Sequence, residues 1–261
     1  MSIFSSLEAI LFGGLVGALP WWGYLIIGVA LTQVLVMVVS LYLHRSLAHR
    51  ALVMKPVLAN FSRFLFWLSQ TSTIKEWVAV HRKHHRYVDE EDDPHSPWFH
   101  NIWMMLFATS YRRAARDPEV LRIYGAGTPS DSLEKNLFSK HRRLGILVSG
   151  LSFVLLFGIV PGICFWLIQV TYLPIVASFG VNGIGHRFGY RNNDTPDESR
   201  NVVPLDPLAC GELLHNNHHK DPSSAKFSLR SWEFDPGWGW ITFFKWVGLI
   251  TQVRIRQAPS S

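Results

Sequence analysis

The chain has 261 residues, 48% hydrophobic and 17% charged, with 25 Lys and Arg against 19 Asp and Glu and a formal net charge of +6. That length allows one domain or two, and the two cysteines support neither a disulfide framework nor a Cys-based zinc site. Residues 1–43 and 144–186 contain no Lys or Arg, so all 25 fall in the other two stretches, a segregation that excludes an ordinary soluble protein.

The first basic-free block divides at Ala18-Leu19-Pro20-Trp21-Trp22-Gly23. An apolar run ends near Leu19 and another covers 24–43, so the block reads as a hairpin of two short membrane spans over about 3–43. Tryptophans beside the break suit a membrane interface. The first residues lack the basic start of a signal peptide and read as a retained anchor. Residues 51–80 are partly apolar but include Lys55, Arg63 and Lys75. They are too few for two crossings, and one crossing would separate histidine clusters that should share a side, so an interfacial or re-entrant helix is expected. The second basic-free block breaks at Pro161-Gly162 and reads as another hairpin, over about 144–185. Hairpins return the chain to the side it left. The regions at about 44–143 and 186–256 therefore share the positively charged side, which is cytoplasmic by the positive-inside rule. Their basic residues suit anionic lipid headgroups, not nucleic acid. The tail, 257–261, is expected to fray.

Three motifs hold eight of the twelve histidines: His44-Arg-Ser-Leu-Ala-His49, His81-Arg-Lys-His84-His85 and His215-Asn-Asn-His218-His219. Chance would give roughly 0.02 copies of H-x-x-H-H in such a chain, and two are present. Imidazole is the commonest transition-metal ligand among side chains, so the motifs point to a polynuclear metal site. On a helix His81, His84 and His85 share a face, as do His215, His218 and His219. His44 and His49 are about 140° apart on an ideal helix; they converge if the helix ends between them, or else serve two ions. Eight imidazoles exceed one closed zinc site, whereas two ions with four or five nitrogens each keep the open positions that an oxygen-activating iron centre requires. Asp89, Glu76 and Glu212 are candidate acceptors for the outer ring nitrogens. His95, His100 and His141 read as non-ligands.

The three clusters in this order resemble the histidine boxes of integral-membrane fatty acid desaturases, most nearly the delta-9 acyl-CoA desaturase type. Flanking residues agree: Ala48-His49-Arg50, Glu76-Trp77, Asp93-Pro94-His95-Ser96-Pro97 and Gly211-Glu212-Leu213-Leu214. Asn182-Gly-Ile-Gly-His186 resembles the family's Asn-x-x-x-His segment, and the likeness extends over about residues 20–250. It implies two Fe ions held by His44, His49, His81, His84, His85, His186, His215, His218 and His219, with Asn182 acting through water. Which histidine serves which iron is not legible in the sequence. The run containing Arg112 and Arg113 resembles a basic stretch near the acyl headgroup in that family.

The expected protein is all-α, with four transmembrane helices as two hairpins under a cytoplasmic helical cap holding a di-metal site, one desaturase domain over 1–261 in a bacterial inner membrane. Its expected reaction is oxygen-dependent insertion of a cis double bond, delta-9 by resemblance, into a fatty acyl thioester or acyl lipid. Electrons are expected from a separate ferredoxin-, rubredoxin- or cytochrome-type donor. A lipid hydroxylase on the same scaffold is the nearest alternative, and a membrane metal carrier or sensor a distant one. Gly28 and Thr32 lie 16 and 12 residues before His44, about 24 and 18 Å along a helix. They are candidates for the floor of an acyl tunnel, although Gly28 also suits close helix packing.

Overall fold

The computed structural model describes residues 10–256. The start of the first expected span and the tail at 257–261 lie outside the described residues. The protein is mostly helical, with one two-stranded sheet among the described residues. Contacts divide the chain into two compact units.

The first unit takes the chain up to Leu35, Phe64–Thr73 and Ser130–Leu173. Helix α1, Trp21–Met37, starts directly after Pro20, where the expected break lies, and is apolar all round. Helices α7 (Arg142–Phe157) and α8 (Ile159–Pro174) form an antiparallel pair. Their break falls at Gly158, not at the expected Pro161-Gly162. Gly158 adopts φ +86°, which suits a residue without Cβ, whereas Pro161 fits the first helical turn because the missing N–H has no partner there anyway. Gly162 instead lets the helices touch: a Cβ there would lie 2.5 Å from Cα of Val154. Trp166 Nε1 donates to the Ile146 carbonyl, and buried Gln169 donates to Ser149 Oγ at 2.8 Å and the Leu68 carbonyl at 2.9 Å. Phe157 and Phe165 meet edge to face, with centroids 5.0 Å apart.

The second unit takes Val36–Arg63, Ile74–Pro129 and the chain from Pro174. Helix α1 continues as a π-helix over Val38–Ala48, and α8 as another over Ile175–Ile184. The π form, with its i→i+5 bonds, is rare and concentrates at functional sites. Strand β1 (Leu52–Met54) pairs antiparallel with β2 (Ile250–Val253), tying the segment after the first histidine pair to the chain's end. Between them run α2 (Pro56–Ser69), α3 (Ile74–Arg86), α4 (Ile102–Leu106), α5 (Thr109–Ala114), α6 (Pro118–Tyr124), α9 (His215–Lys220) and α10 (Pro236–Trp246). The sequence 51–80, expected as one interfacial helix, is thus a strand, a helix and the start of another. Helix α2 keeps the expected two-faced pattern, with Leu58, Phe66 and Trp67 buried and Val57, Phe61 and Phe64 exposed.

Among the described residues, two continuous helices are long and apolar enough to cross a membrane: Trp21–Ala48, 28 residues, and Ile159–Ile184, 26 residues. Leu25, Ile26 and Val29 on the first and Leu167 on the second are exposed, as lipid-facing residues would be. Helix α7, with 16 residues, spans about 24 Å and exposes Leu151 and Leu155.

The Gly162 contact is testable. Gly162→Ala should destabilise the first unit by about 1–3 kcal/mol, because the new methyl meets backbone that cannot rotate away. Thermal unfolding in detergent should show a lower midpoint, with exposed Cys164→Ala as the neutral comparison.

Candidate metal centre

Nine imidazoles converge in the second unit in two sets. His44, His49, His81, His85 and His218 form one, His84, His186, His215 and His219 the other, and within each set the candidate ligand atoms lie within 4.8 Å of one another.

The π-helix explains the first pair. The His49 amide donates to the His44 carbonyl at 3.0 Å, an i→i+5 bond. In that register residues five apart stack, and the two rings meet with centroids 4.8 Å apart. The sequence reading offered a helix end or two separate ions; a change of helix type achieves the convergence instead.

Each H-x-x-H-H motif divides between the sets rather than facing one way. In α3, His81 and His85 join the first set and His84 the second; in α9, His215 and His219 join the second and His218 the first. The i and i+4 members stay together, and the i+3 member crosses over. His186, just past the second π-helix, completes the four-histidine set.

Carboxylates engage the outer nitrogens. Nδ1 of His84 lies 2.9 Å from Asp93, Nδ1 of His186 2.9 Å from Asp89, and Nδ1 of His219 3.1 Å from Asp197; Nδ1 of His44 faces Glu212. An ionised carboxylate only accepts, so each Nδ1 donates and each ring turns Nε2 inward toward its set. Asp89 and Glu212 were expected in this role, whereas Asp93 and Asp197 were not singled out, and Glu76 sits in the first turn of α3. Asp89 has φ +60°, a left-handed conformation that Asp tolerates. Burial disfavours the Asp93 anion, but the charge and hydrogen bond of His84 hold its carboxyl down to about 2. Burial, followed by the other imidazoles, pushes His81, His85, His215, His218 and His219 well below the usual histidine range, and for His49 Arg82 adds to the effect. They are therefore neutral, the state that binds metal.

These residues fit a metal. Nε2 of His44 and of His186 lie 3.0 Å from Nε2 of His218 and His215; His49 and His81 approach to 2.7 Å, and His218 and His85 to 3.0 Å. Nε2 of His84 and His219 is buried with no hydrogen-bond partner. Imidazole nitrogens about 2.1 Å from one ion lie about 3.0 Å apart at 90° and about 3.4 Å apart at the tetrahedral angle. The close approaches are of the order that shared coordination of one ion requires.

Helix α9 has six residues, too few for stability alone, and its two intervening asparagines hold it. Asn216 accepts from the backbone amides of Asn192 and Asn193, while Asn217 accepts from the Asn201 side chain and donates to Glu233 and the Phe227 carbonyl. Only their place between the histidines of the motif marks them in the sequence. Asn182 donates to the Ala177 carbonyl, and its Oδ1 is buried without a partner. It shares a pocket with His44, His81, His215, Trp77 and Val181, between the two sets. Of the expected non-ligands, His95 packs on His84 but joins neither set, His100 faces the Asp93 carbonyl, and His141 lies in the first unit. Arg112 and Arg113 are exposed on α5. Gly28 lies in the first unit, where a Cβ would meet the Phe165 ring at 3.5 Å, and Thr32 Oγ1 donates to the Val29 carbonyl.

A helical scaffold carrying two adjoining all-histidine sets has the donor chemistry of a transition-metal site. The fatty acid desaturase family model matches residues 19–242. Similar proteins include Delta-9 acyl-lipid desaturases 1 and 2 of Arabidopsis thaliana, each 32% identical, which align with 81% of this chain and cover 69% and 68% of their own lengths. Acyl-CoA 5-desaturase AL21 of Anemone leveillei is also 32% identical, over 83% of this chain and 67% of its own. The chain belongs to the fatty acid desaturase family, and it is an oxidoreductase.

The carboxylate contacts carry a prediction. Asp93→Asn removes the charge behind His84 while preserving shape, and should weaken metal retention about 10–100-fold. Metal per chain after dialysis against a graded chelator reads this, with Asp92→Asn, whose side chain is 73% exposed, retaining the normal amount.

Proposed function

We propose that this protein introduces a cis double bond, at the delta-9 position, into a long-chain fatty acyl substrate in an oxygen-dependent reaction at two irons. The observation that carries the reading is the division of nine imidazoles into sets of five and four with a pocket opening between them. His44, His49, His81, His85 and His218 would hold one iron. His84, His186, His215 and His219 would hold the other, with Asn182 Oδ1 reaching it through water.

When bound, the irons supply oxygen activation, which no side chain can perform. The overall balance is –CH2–CH2– + O2 + 2e⁻ + 2H⁺ → –CH=CH– + 2H2O. The protein's own residues bind and orient. Val39, Trp77, Ala177 and Val181 give the pocket apolar walls beside the imidazoles, so two methylenes can rest there without a polar anchor, placed by shape alone. The same walls exclude water from the reacting carbons. Glu212, Asp89, Asp93 and Asp197 keep protons on the outer nitrogens and fix the ring planes.

Exposed Arg112 and Arg113 are proposed to meet the anionic end of the acyl carrier, whether thioester or lipid. The proposed topology has four spans in two hairpins with the histidines on the cytoplasmic side of a bacterial inner membrane, and a single desaturase domain. It draws support from the segregated charge and the two long apolar helices.

Lipid analysis of a desaturation-deficient bacterial host expressing the protein tests the reaction. A product lacking two hydrogens supports desaturation, whereas one gaining an oxygen atom indicates hydroxylation instead. His84→Ala should abolish double-bond formation while membrane insertion persists, and His141→Ala should remain near wild type. An active His84→Ala variant would remove the ligand assignment.

Gly28 and Thr32 are proposed to limit acyl length, from their place on the helix that carries His44 near its far end. Gly28→Tyr should shift the products toward shorter chains at unchanged iron content. An unaltered chain-length profile in a folded, active variant leaves Gly28 a packing residue against Phe165.

A further inference from the structure

A surface cleft in the second unit is lined by Asn217, Lys226, Phe227, Ser228, Leu229 and Arg256, and Phe227 connects it to the imidazoles. The Phe227 ring lies 4.7 Å from the ring of His218 and 5.7 Å from that of His44. One aromatic ring thus separates the cleft from two members of the five-histidine set, and Asn217 directly precedes His218 in α9.

The rim is cationic. Lys226 is exposed, and the neighbouring Arg254 is exposed as well; the Ala225 amide donates to the Arg254 carbonyl, which fixes these segments side by side. Arg256 donates to Asn193 Oδ1 at 2.9 Å, and Arg230 donates to Asn192 Oδ1 at 3.4 Å. Adjacent asparagines therefore hold both guanidinium groups at the same edge. Exposed Asp194 and half-buried Asp221 lie nearby but are outnumbered by Lys226, Arg230, Arg254 and Arg256. Asp235 pairs with Arg45, and Glu233 is buried, accepting from Tyr190, Asn192, Asn217 and the amides of Leu229 and Arg230. Its charge is absorbed inward and does not offset the rim. Leu229 and Ile255 are 40% and 54% exposed, which adds apolar contact between the charges.

We propose that this cleft is the docking site of an acidic one-electron carrier, with electrons entering through the Phe227 contact to His218. The inference rests on the oxygen-dependent desaturation proposed above, which needs two external electrons per double bond. Two reduced carriers each give up one electron and leave oxidised. Those two electrons, with the two released when two C–H bonds of the acyl chain break, reduce O2 to two waters. A cationic rim suits such traffic, because it raises the rate of encounter with an acidic partner and makes that rate sensitive to salt. Carriers must also leave after each transfer, which a small interface allows.

Stopped-flow reduction of the iron-loaded, full-length protein in neutral-lipid nanodiscs tests the proposal, with reduced acidic [2Fe–2S] ferredoxin, rubredoxin and a soluble cytochrome b5 as separate donors. Lys226→Glu combined with Arg256→Gln should slow reduction by the best donor at least tenfold and flatten its salt dependence. Iron content and reduction by dithionite, which needs no docking, should match wild type. Lys135→Glu, in the first unit, should leave the donor rate unaltered. An unchanged donor rate in the double variant overturns the docking site. So does an equal loss with dithionite, which would assign these charges to the centre itself. If the variant keeps its donor rate but loses stabilisation by anionic lipid, the rim is a headgroup site and the proposal fails. Wild-type protein that dithionite reduces but none of the three carriers does overturns the external-carrier reading, and the docking site with it.

Discussion

The structure depends on one constraint: nine imidazoles turn ring nitrogens toward two points inside the protein. Lone pairs 3.0 Å apart or less repel, and burial removes the water that would otherwise satisfy them. A cation at each point would turn that repulsion into attraction and join four separated stretches of chain: the first π-helix, α3, the segment at His186 and α9. Metal binding at these points would therefore be coupled to folding of the second unit. The outer carboxylates belong to the same account. Each one fixes a ring that would otherwise be free to present N–H instead of a lone pair to the ion.

The histidine motifs were legible because chance cannot supply two H-x-x-H-H repeats in such a chain. Their division into five and four was not, since it depends on where α3 and α9 lie with respect to each other. His44 and His49 show the limit most clearly. Spacing rules assume an α-helix, and a spacing of five gives convergence only in the π register, for which the local sequence holds no sign. The break between α7 and α8 was misplaced by three residues because Pro161 was read as a stop when it serves as a first-turn residue, while Gly158 carries the positive φ. In the sequence Asp93 stands only as a residue flanking the second motif. Its Asp-Pro-His-Ser-Pro setting reads as a loop, and its role appears only once that loop folds back on His84.

Arg45 shows how deep the supporting network runs. It follows His44 and is wholly buried, yet it carries a charge. Its guanidinium lies 3.0 Å from Asp235, 3.7 Å from Glu212 and 3.8 Å above the Phe227 ring, and it also donates to Ser40. Burying a lone cation would be severely destabilising. Two carboxylates and an aromatic face offset that cost, and one of those carboxylates is the acceptor for His44 Nδ1. Asp235 also caps α10 by accepting from the Trp238 amide. A charge change at Arg45 would therefore reach both the first histidine pair and the helix after the third motif, which links elements distant in sequence through electrostatics rather than apolar packing.

The crossing of the i+3 histidines gives the spacing a further meaning. If all three imidazoles of a motif served one ion, the two sets could lie far apart on different helices. Because α3 and α9 each give two rings to one set and one to the other, the sets must adjoin, at a separation set by a single helical turn. The pocket lined by His44, His81, His215 and Asn182 therefore borders both sets at once. A substrate there meets two sites through one opening, and the apolar residues Val39, Ala177 and Val181 come from the two π-helices that also carry or precede His44, His49 and His186. The same local widening of the helix that stacks His44 over His49 also shapes the wall of this pocket, so under the proposed function ligand geometry and the position of the acyl chain would not vary independently.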